Sequence, residues 1–176
     1  MGGEEAVVRV TPLAGIAMED DDIPQKAKDI LEQLLAAMGV EASVVVDIQS
    51  GKEGEAVGPV TLNIEGDDLG ILIGRRGQTL ASLQYMVRLI LAHQRKAWLP
   101  VTIDVEGYKQ RRYQALQNLA GRLAEQVESK KAPFTLEPMP AYERRIIHLT
   151  LAEHPSVTTY SIGIGEARKV VIAPKE

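Results

Sequence analysis

Gly74-Arg75-Arg76-Gly77 is the stretch that most limits what this chain can fold into. Its two glycines permit positive φ and leave no Cβ in the way of an approaching backbone. Before them runs a short apolar segment, Leu69 to Ile73, entered through Asp67 and Asp68. After them Leu80, Leu83, Val87 and Leu91 recur at helical spacing, with Met86 and Ile90 filling the same broad face. That pattern predicts an amphipathic helix. A carboxylate of Asp67 or Asp68 suits the N-cap of the short segment. The glycine pair is therefore expected as a tight turn between two helices. Its arginines carry fork-shaped donors that suit phosphate, and the second helix points the positive end of its dipole at the same place. A bare G-x-x-G also fits an ordinary helix-turn-helix corner, and the two arginines are what raise the phosphate reading. Gly70, Gly74 and Gly77 do not space as G-x-G-x-x-G, and no Gly-Lys-Ser/Thr follows, which removes the other glycine-loop chemistries.

The flanks place this turn in a sandwich. Ile23-Pro24 opens a helix whose stripe is Ala27, Ile30, Leu31, Leu34, Leu35 and Met38, closed by Gly39. Ala42 to Ile48 is a valine-rich strand, Gly51 to Glu55 a turn, and Val60, Leu62 and Ile64 alternate with polar residues as a half-buried strand. The helix after the glycines runs to about Lys96, and Pro100 to Val105 makes a third strand. The order helix, strand, strand, helix, GxxG, helix, strand over residues 24–106 predicts an α+β fold, here a two-layer α/β sandwich. Residues 1–23 are read as a tail with one short strand, Val7 to Val10, and an acidic linker, Glu19 to Asp22.

Residues 107–176 make a second small unit. A long helix starts at Gly107, with Leu116, Leu119, Ala120, Leu123 and Val127 as its apolar face, and stops at Lys130-Lys131-Ala132-Pro133. Lys109, Arg111 and Arg112 in its first turns are either a solvated face or a rail for phosphates. Phe134 to Leu136 is a short strand and Pro138 to Pro140 a turn. Pro140 then opens a helix ending near Leu151, on which Arg144 and His148 stand four residues apart on one face. Val157 to Ile162 and Arg168 to Ile172 are strands joined by a turn at Gly163 to Glu166.

Composition bears on function through its distribution. The net charge of −4 is wrong for a nucleic-acid binder only when taken whole. Residues 1–57 carry 4 Lys/Arg against 12 Asp/Glu, residues 58–106 carry 5 of each, and residues 107–176 carry 11 against 7. Phosphate contacts depend on the local face, because screening cuts exposed charges off beyond ~8 Å at physiological salt. With one Trp and one Phe, base stacking on an aromatic platform is not expected to dominate. The absence of cysteine excludes disulfides and cysteine metal sites and suits a reducing cytoplasm. No apolar run nears the ~20 residues of a membrane helix, and the acidic N-terminus does not read as a signal peptide. No metal, cofactor or membrane insertion is expected.

The helix–GxxG–helix unit resembles a KH domain, whose loop clamps the backbone of a single strand. The full element order is similar to the bacterial type II arrangement. Glu143-Arg144-Arg145-x-x-His148, with the Val-Thr-Thr-x-Ser-x-Gly and Arg-Lys-Val-Val-Ile that follow, resembles the R-three-H domain, named for its Arg-x-x-x-His spacing. A type II KH domain at 24–106 followed by an R-three-H domain at 107–176 is similar to the bacterial Jag family, also called KhpB. Many members carry a further N-terminal domain; residues 1–23 are too few to hold one, and nothing is carried over from it. The resemblance implies a cytoplasmic protein that binds single-stranded RNA, or single-stranded DNA. It further implies a post-transcriptional regulator tied to bacterial cell elongation, division or envelope homeostasis. Gly74, Arg75, Arg76, Gly77, Arg144, His148, Arg168 and Lys169 would touch the strand, and Leu72, Ile73, Leu80 and Leu83 would either floor an apolar groove or belong to the core. His148 has a structural role as its rival, hydrogen-bonded within its own helix. An adaptor that pairs through its KH domain with a second small KH protein is the alternative. Catalysis is not expected: Glu143, His148, Glu153 and His154 form the only suggestive cluster, and their spacing is not that of a metalloprotease helix.

Overall fold

A computed structural model of the chain describes residues 23–48, 60–95 and 100–175. The predicted strand at Val7, the acidic run at Glu19 to Asp22, the turn at Gly51 to Glu55 and Lys96 lie outside the described residues. The first half contains α1 (Ile23–Ala37), β1 (Ser43–Ile48), β2 (Val60–Glu65), α2 (Gly70–Ile73), a 3-10 turn at Arg75–Gly77, α3 (Gln78–Arg95) and β3 (Val101–Val105). The second contains α4 (Tyr108–Lys130), β4 (Phe134–Thr135), α5 (Ala141–Thr150), β5 (Val157–Ile162), a 3-10 turn at Gly165–Ala167 and β6 (Lys169–Pro174). Both are helix-on-sheet sandwiches, so the chain is α+β as expected.

In the first sheet β2 is central, antiparallel to β1 and parallel to β3. A parallel neighbour requires a crossover, and α2, the glycine turn and α3 supply it. That is why the turn sits at one end of the sheet rather than on its face. Alternation along β2 sends Val60, Leu62 and Ile64 into a core shared with Leu31 and Leu35 of α1 and Leu80, Val87 and Leu91 of α3. Met86, expected on that face, is exposed instead, since the stripe buried against the sheet is narrower than the pattern implies. Gly39, at φ +69, ends α1, and the Val40 amide returns to the Leu35 carbonyl at 3.0 Å. No side chain caps α2: Asp68 takes φ +52, and Leu69 holds the cap position, its carbonyl accepting from the Leu72 amide at 3.0 Å. The expected Asp cap fails because the backbone bend falls on Asp68 itself.

The second sheet has the order β4-β6-β5, all antiparallel. Helices α4 and α5 cover one face, burying Leu116, Leu123 and Val127 against Ile147, Val157, Val170 and Ile172. Helix α4 serves both cores. Its first residue, Tyr108, packs against the first, while Leu116 onward belongs to the second. This continuity brings the start of α5 beside the glycine turn.

Candidate nucleic-acid interface

The glycine turn has the conformation that the spacing requires. Gly74 lies at φ +67, ψ −171, a region essentially restricted to glycine, and a Cβ there would overlap the Thr79 side chain. Gly77 lies at φ +76, and a Cβ would stand 3.1 Å from the Tyr108 ring and 3.3 Å from the Tyr142 hydroxyl. Between them Arg76 also adopts a left-handed conformation, φ +55, unusual for a residue with a Cβ. The two arginines therefore diverge. Arg75 is exposed and has no partner among the described residues. Arg76 reaches back to the second half of the chain, donating to the Pro138 carbonyl and the Glu137 carboxylate. Its own carbonyl accepts from the Tyr142 hydroxyl at 3.2 Å.

Tyr142 stands beside a buried ion pair, Arg112 with Glu143, that sequence reasoning missed. Glu143 is fully buried and receives a bidentate pair from Arg112, at 2.7 and 2.9 Å. Burial and the neighbouring Glu143 carboxylate push the Tyr142 hydroxyl up to about 12. Each of the three cations expected as a phosphate rail makes a hydrogen bond within the chain, and Lys109 and Arg111 remain exposed. Arg112 holds Glu143, Lys109 donates to Gln84 Oε1 at 2.9 Å, and Arg111 donates to the Glu106 carbonyl. Burial lowers the Lys109 pKa, with Arg88 adding to the effect against the opposing pull of Asp104.

On α5, Arg144 is half-buried and its Nε donates to the Met139 carbonyl at 3.3 Å. His148 is held by hydroxyls on both ring nitrogens: Thr159 Oγ1 at 2.7 Å from Nδ1 and Ser161 Oγ at 2.9 Å from Nε2. These partners come from β5, not from the histidine's own helix. Burial lowers its pKa, and the Arg144 and Arg168 charges lower it further. Arg168 therefore lies close enough to join Arg144 electrostatically, and it is exposed. Lys169 follows it as the half-buried first residue of β6. Leu72, Leu80 and Leu83 are core, at 0, 2 and 6% exposure, and only Ile73 of the four groove candidates keeps a half-buried position. Leu72, Leu80 and Leu83 form part of the core beneath the turn, and Leu80 also lines a cavity beside it.

The two motifs share one cleft. Arg75, Gly77, Gln78 and Ser82 form one wall, and Pro140, Tyr142, Arg144 and Gly165–Ala167 the other, around an open volume of about 1010 Å³. A narrower cavity of about 400 Å³ adjoins it, sharing Gly77, Ala81 and Tyr142 with the cleft. Among the described residues no group of three or more His, Cys, Asp or Glu is placed to hold a metal ion. None of the described helices is long and apolar enough to cross a membrane.

A glycine turn crossing a β-β-α-α-β layer, followed by an Arg-x-x-x-His helix on a three-stranded sheet, defines a KH domain joined to an R-three-H domain. Family models agree, the KhpA/KhpB KH domain matching residues 28–103 and the R-three-H domain residues 114–174. Over 175 residues the chain is 37% identical to the RNA-binding protein KhpB of Clostridium symbiosum, covering 99% of this chain and 73% of that protein. It is 38% identical over 160 residues to the RNA-binding protein KhpB of Bacillus subtilis (strain 168), covering 90% and 74%. The chain belongs to the KhpB family.

Proposed function

We propose that this protein binds single-stranded RNA along the cleft between its two domains, residues 24–106 and 107–176, and that it carries out no reaction of its own. The observation that carries this reading is the meeting of Arg75 and Arg144, one from each motif, on opposite walls of one cleft. The glycine turn admits a sugar-phosphate backbone closely, and the N-terminus of α3 adds its dipole there. Arg75, Arg144 and Arg168 are the phosphate contacts, Gly74 and Gly77 the points of close approach. Arg76 adds to the cleft lining, His148 holds α5 to β5, and Lys169 stands beside Arg168 at the start of β6. The named relatives are RNA-binding proteins, and their KH and R-three-H domains are binding modules rather than enzymes. Regulation of RNA after transcription in the bacterial cytoplasm is the role that fits such a binder.

The test is anisotropy of a labelled single-stranded RNA of about ten nucleotides with the parent and with Arg75→Asp/Arg144→Asp. The double reversal replaces two attractions by two repulsions on exposed or half-buried side chains, so circular dichroism should be unchanged and binding should collapse. Parent-like affinity in the variant sinks the cleft as the contact. Single-stranded DNA in parallel reads the contribution of the 2′-hydroxyl. A second reading rests on a different surface: Tyr85, Met86 and Leu89 stand exposed on α3, an apolar strip able to pair this KH domain with another small KH protein. Mass measurement after mixing with such a protein, with and without Met86→Glu and Leu89→Glu, separates the two.

A further inference from the structure

The 400 Å³ cavity beside the glycine turn has walls of a particular kind. Tyr108, Tyr113 and Tyr142 line it, three of the five tyrosines in the chain. Leu80 and Ile146 add apolar surface, and Lys109, Arg112 and Gln84 supply the polar atoms. No acidic side chain lines it, and the nearby Glu143 is neutralised by Arg112. Gln84 Oε1 already accepts from the Ile103 amide at 3.1 Å and from Lys109 at 2.9 Å. Its Nε2 donors have no partner among the described residues. The mouth lies at Gly77 and Ala81, which also line the larger cleft.

We propose that this cavity is a nucleobase pocket, built jointly by the two domains, into which one base of the strand crossing the glycine turn is inserted between tyrosine rings. The inference rests on the RNA-binding reading above and adds to it a site where that strand is fixed in register. Phenol rings offer flat faces to any base, and stacking tolerates all four. The cavity has room for a nucleoside and lies one step from Gly77, where a sugar-phosphate backbone comes closest. The free donors of Gln84, with Lys109 beside them, select a base edge that presents acceptors.

The experiment uses the full chain and ten-nucleotide single-stranded RNAs carrying 2-aminopurine, or an abasic residue, at each position in turn. In the parent one position should show strongly changed 2-aminopurine fluorescence, and the abasic substitution there should lower affinity about tenfold, the effect of one stacked base. Tyr113→Leu should abolish that difference, binding the base-bearing and abasic strands alike, while Tyr113→Phe, which keeps the ring, should retain it. Tyr113 is exposed and hydrogen-bonded only to Gln117 one turn along α4, so the substitution leaves the fold intact. Strand binding with the same base-to-abasic ratio in parent and Tyr113→Leu overturns the pocket alone. Absence of strand binding by the parent overturns the functional reading, and the pocket with it.

Discussion

The divergence of Arg75 and Arg76 makes a sharp test, because two adjacent arginines are assigned opposite work. Arg75 lines the cleft with no partner among the described residues, whereas Arg76 is tied to Glu137 and the Pro138 carbonyl. Each phosphate neutralised on a single strand contributes about −0.7 to the slope of log affinity against log salt. Three to six contacts should therefore give the parent a slope of roughly −2 to −4. Arg75→Ala removes one contact, so the slope should shrink by about 0.7 and the affinity fall about 5-fold, near 1 kcal/mol for one exposed charge contact. Arg76→Ala removes no phosphate contact. It should leave the slope within about 0.2 of the parent while costing about 1 kcal/mol of stability, since Glu137 is largely exposed and the ion pair is a weak surface one. The assay is anisotropy between 50 and 300 mM salt, ~sixfold in ionic strength, with urea unfolding alongside. Equal losses of slope in both variants would refute the division. A flat salt dependence in the parent would refute the electrostatic account altogether and favour a protein partner.

Other outcomes follow from the same geometry. Arg112→Met strands the buried Glu143 carboxylate and should cost about 3 kcal/mol in urea unfolding, the low end for a broken buried pair because the arginine is partly exposed; adding Glu143→Leu should recover most of it, and a single-variant loss under ~1 kcal/mol counts against the cluster as the link between α4 and α5. Gly74→Ala should cost at least ~1–3 kcal/mol, from its glycine-only backbone angles and the overlap with Thr79, measured by the urea midpoint. For His148 the folded pKa lies below the unfolded ~6.5, so the unfolded chain takes up the proton first. Its contribution should be complete above pH ~6.5 and fade as pH falls through the folded value; an NMR titration placing the imidazole above ~6.5 would contradict this.

Strict periodicity was readable and long-range pairing was not. Leu80, Leu83, Val87 and Leu91 follow the helical period closely enough to predict both α3 and its buried face. Met86 failed because the apolar pattern does not state how wide a strip the sheet will cover. The turn was legible because Gly74 and Gly77 hold positions that other residues resist. Arg112 and Glu143 are separated by 31 residues, and nothing local to either signals the other. Stacking was set aside because the chain has one Trp and one Phe, and it took the path of α4 across both cores to bring Tyr108, Tyr113 and Tyr142 to one cavity. For His148 a signal was present and unused: Thr159 and Ser161 lie two apart on a strand, so both hydroxyls face the same way.

That alternation changes what the Arg-x-x-x-His spacing means in this chain. Four residues on a helix put Arg144 and His148 on one face, from which both were expected to touch the strand. Both imidazole nitrogens are instead taken by β5 hydroxyls, and a neutral ring satisfies them, donating at one nitrogen and accepting at the other. Protonation would convert the accepting nitrogen to a donor and place a third positive charge beside Arg144 and Arg168. A neutral histidine therefore adds no further positive charge beside the two arginines. On the cleft reading proposed above, the motif would divide into a charge toward the strand, Arg144, and a clamp, His148, that ties α5 to β5. His148→Ala should then weaken binding mainly through lost order at Arg144, and Arg144→Ala through lost charge. Only the second should reduce the salt slope, again by about 0.7.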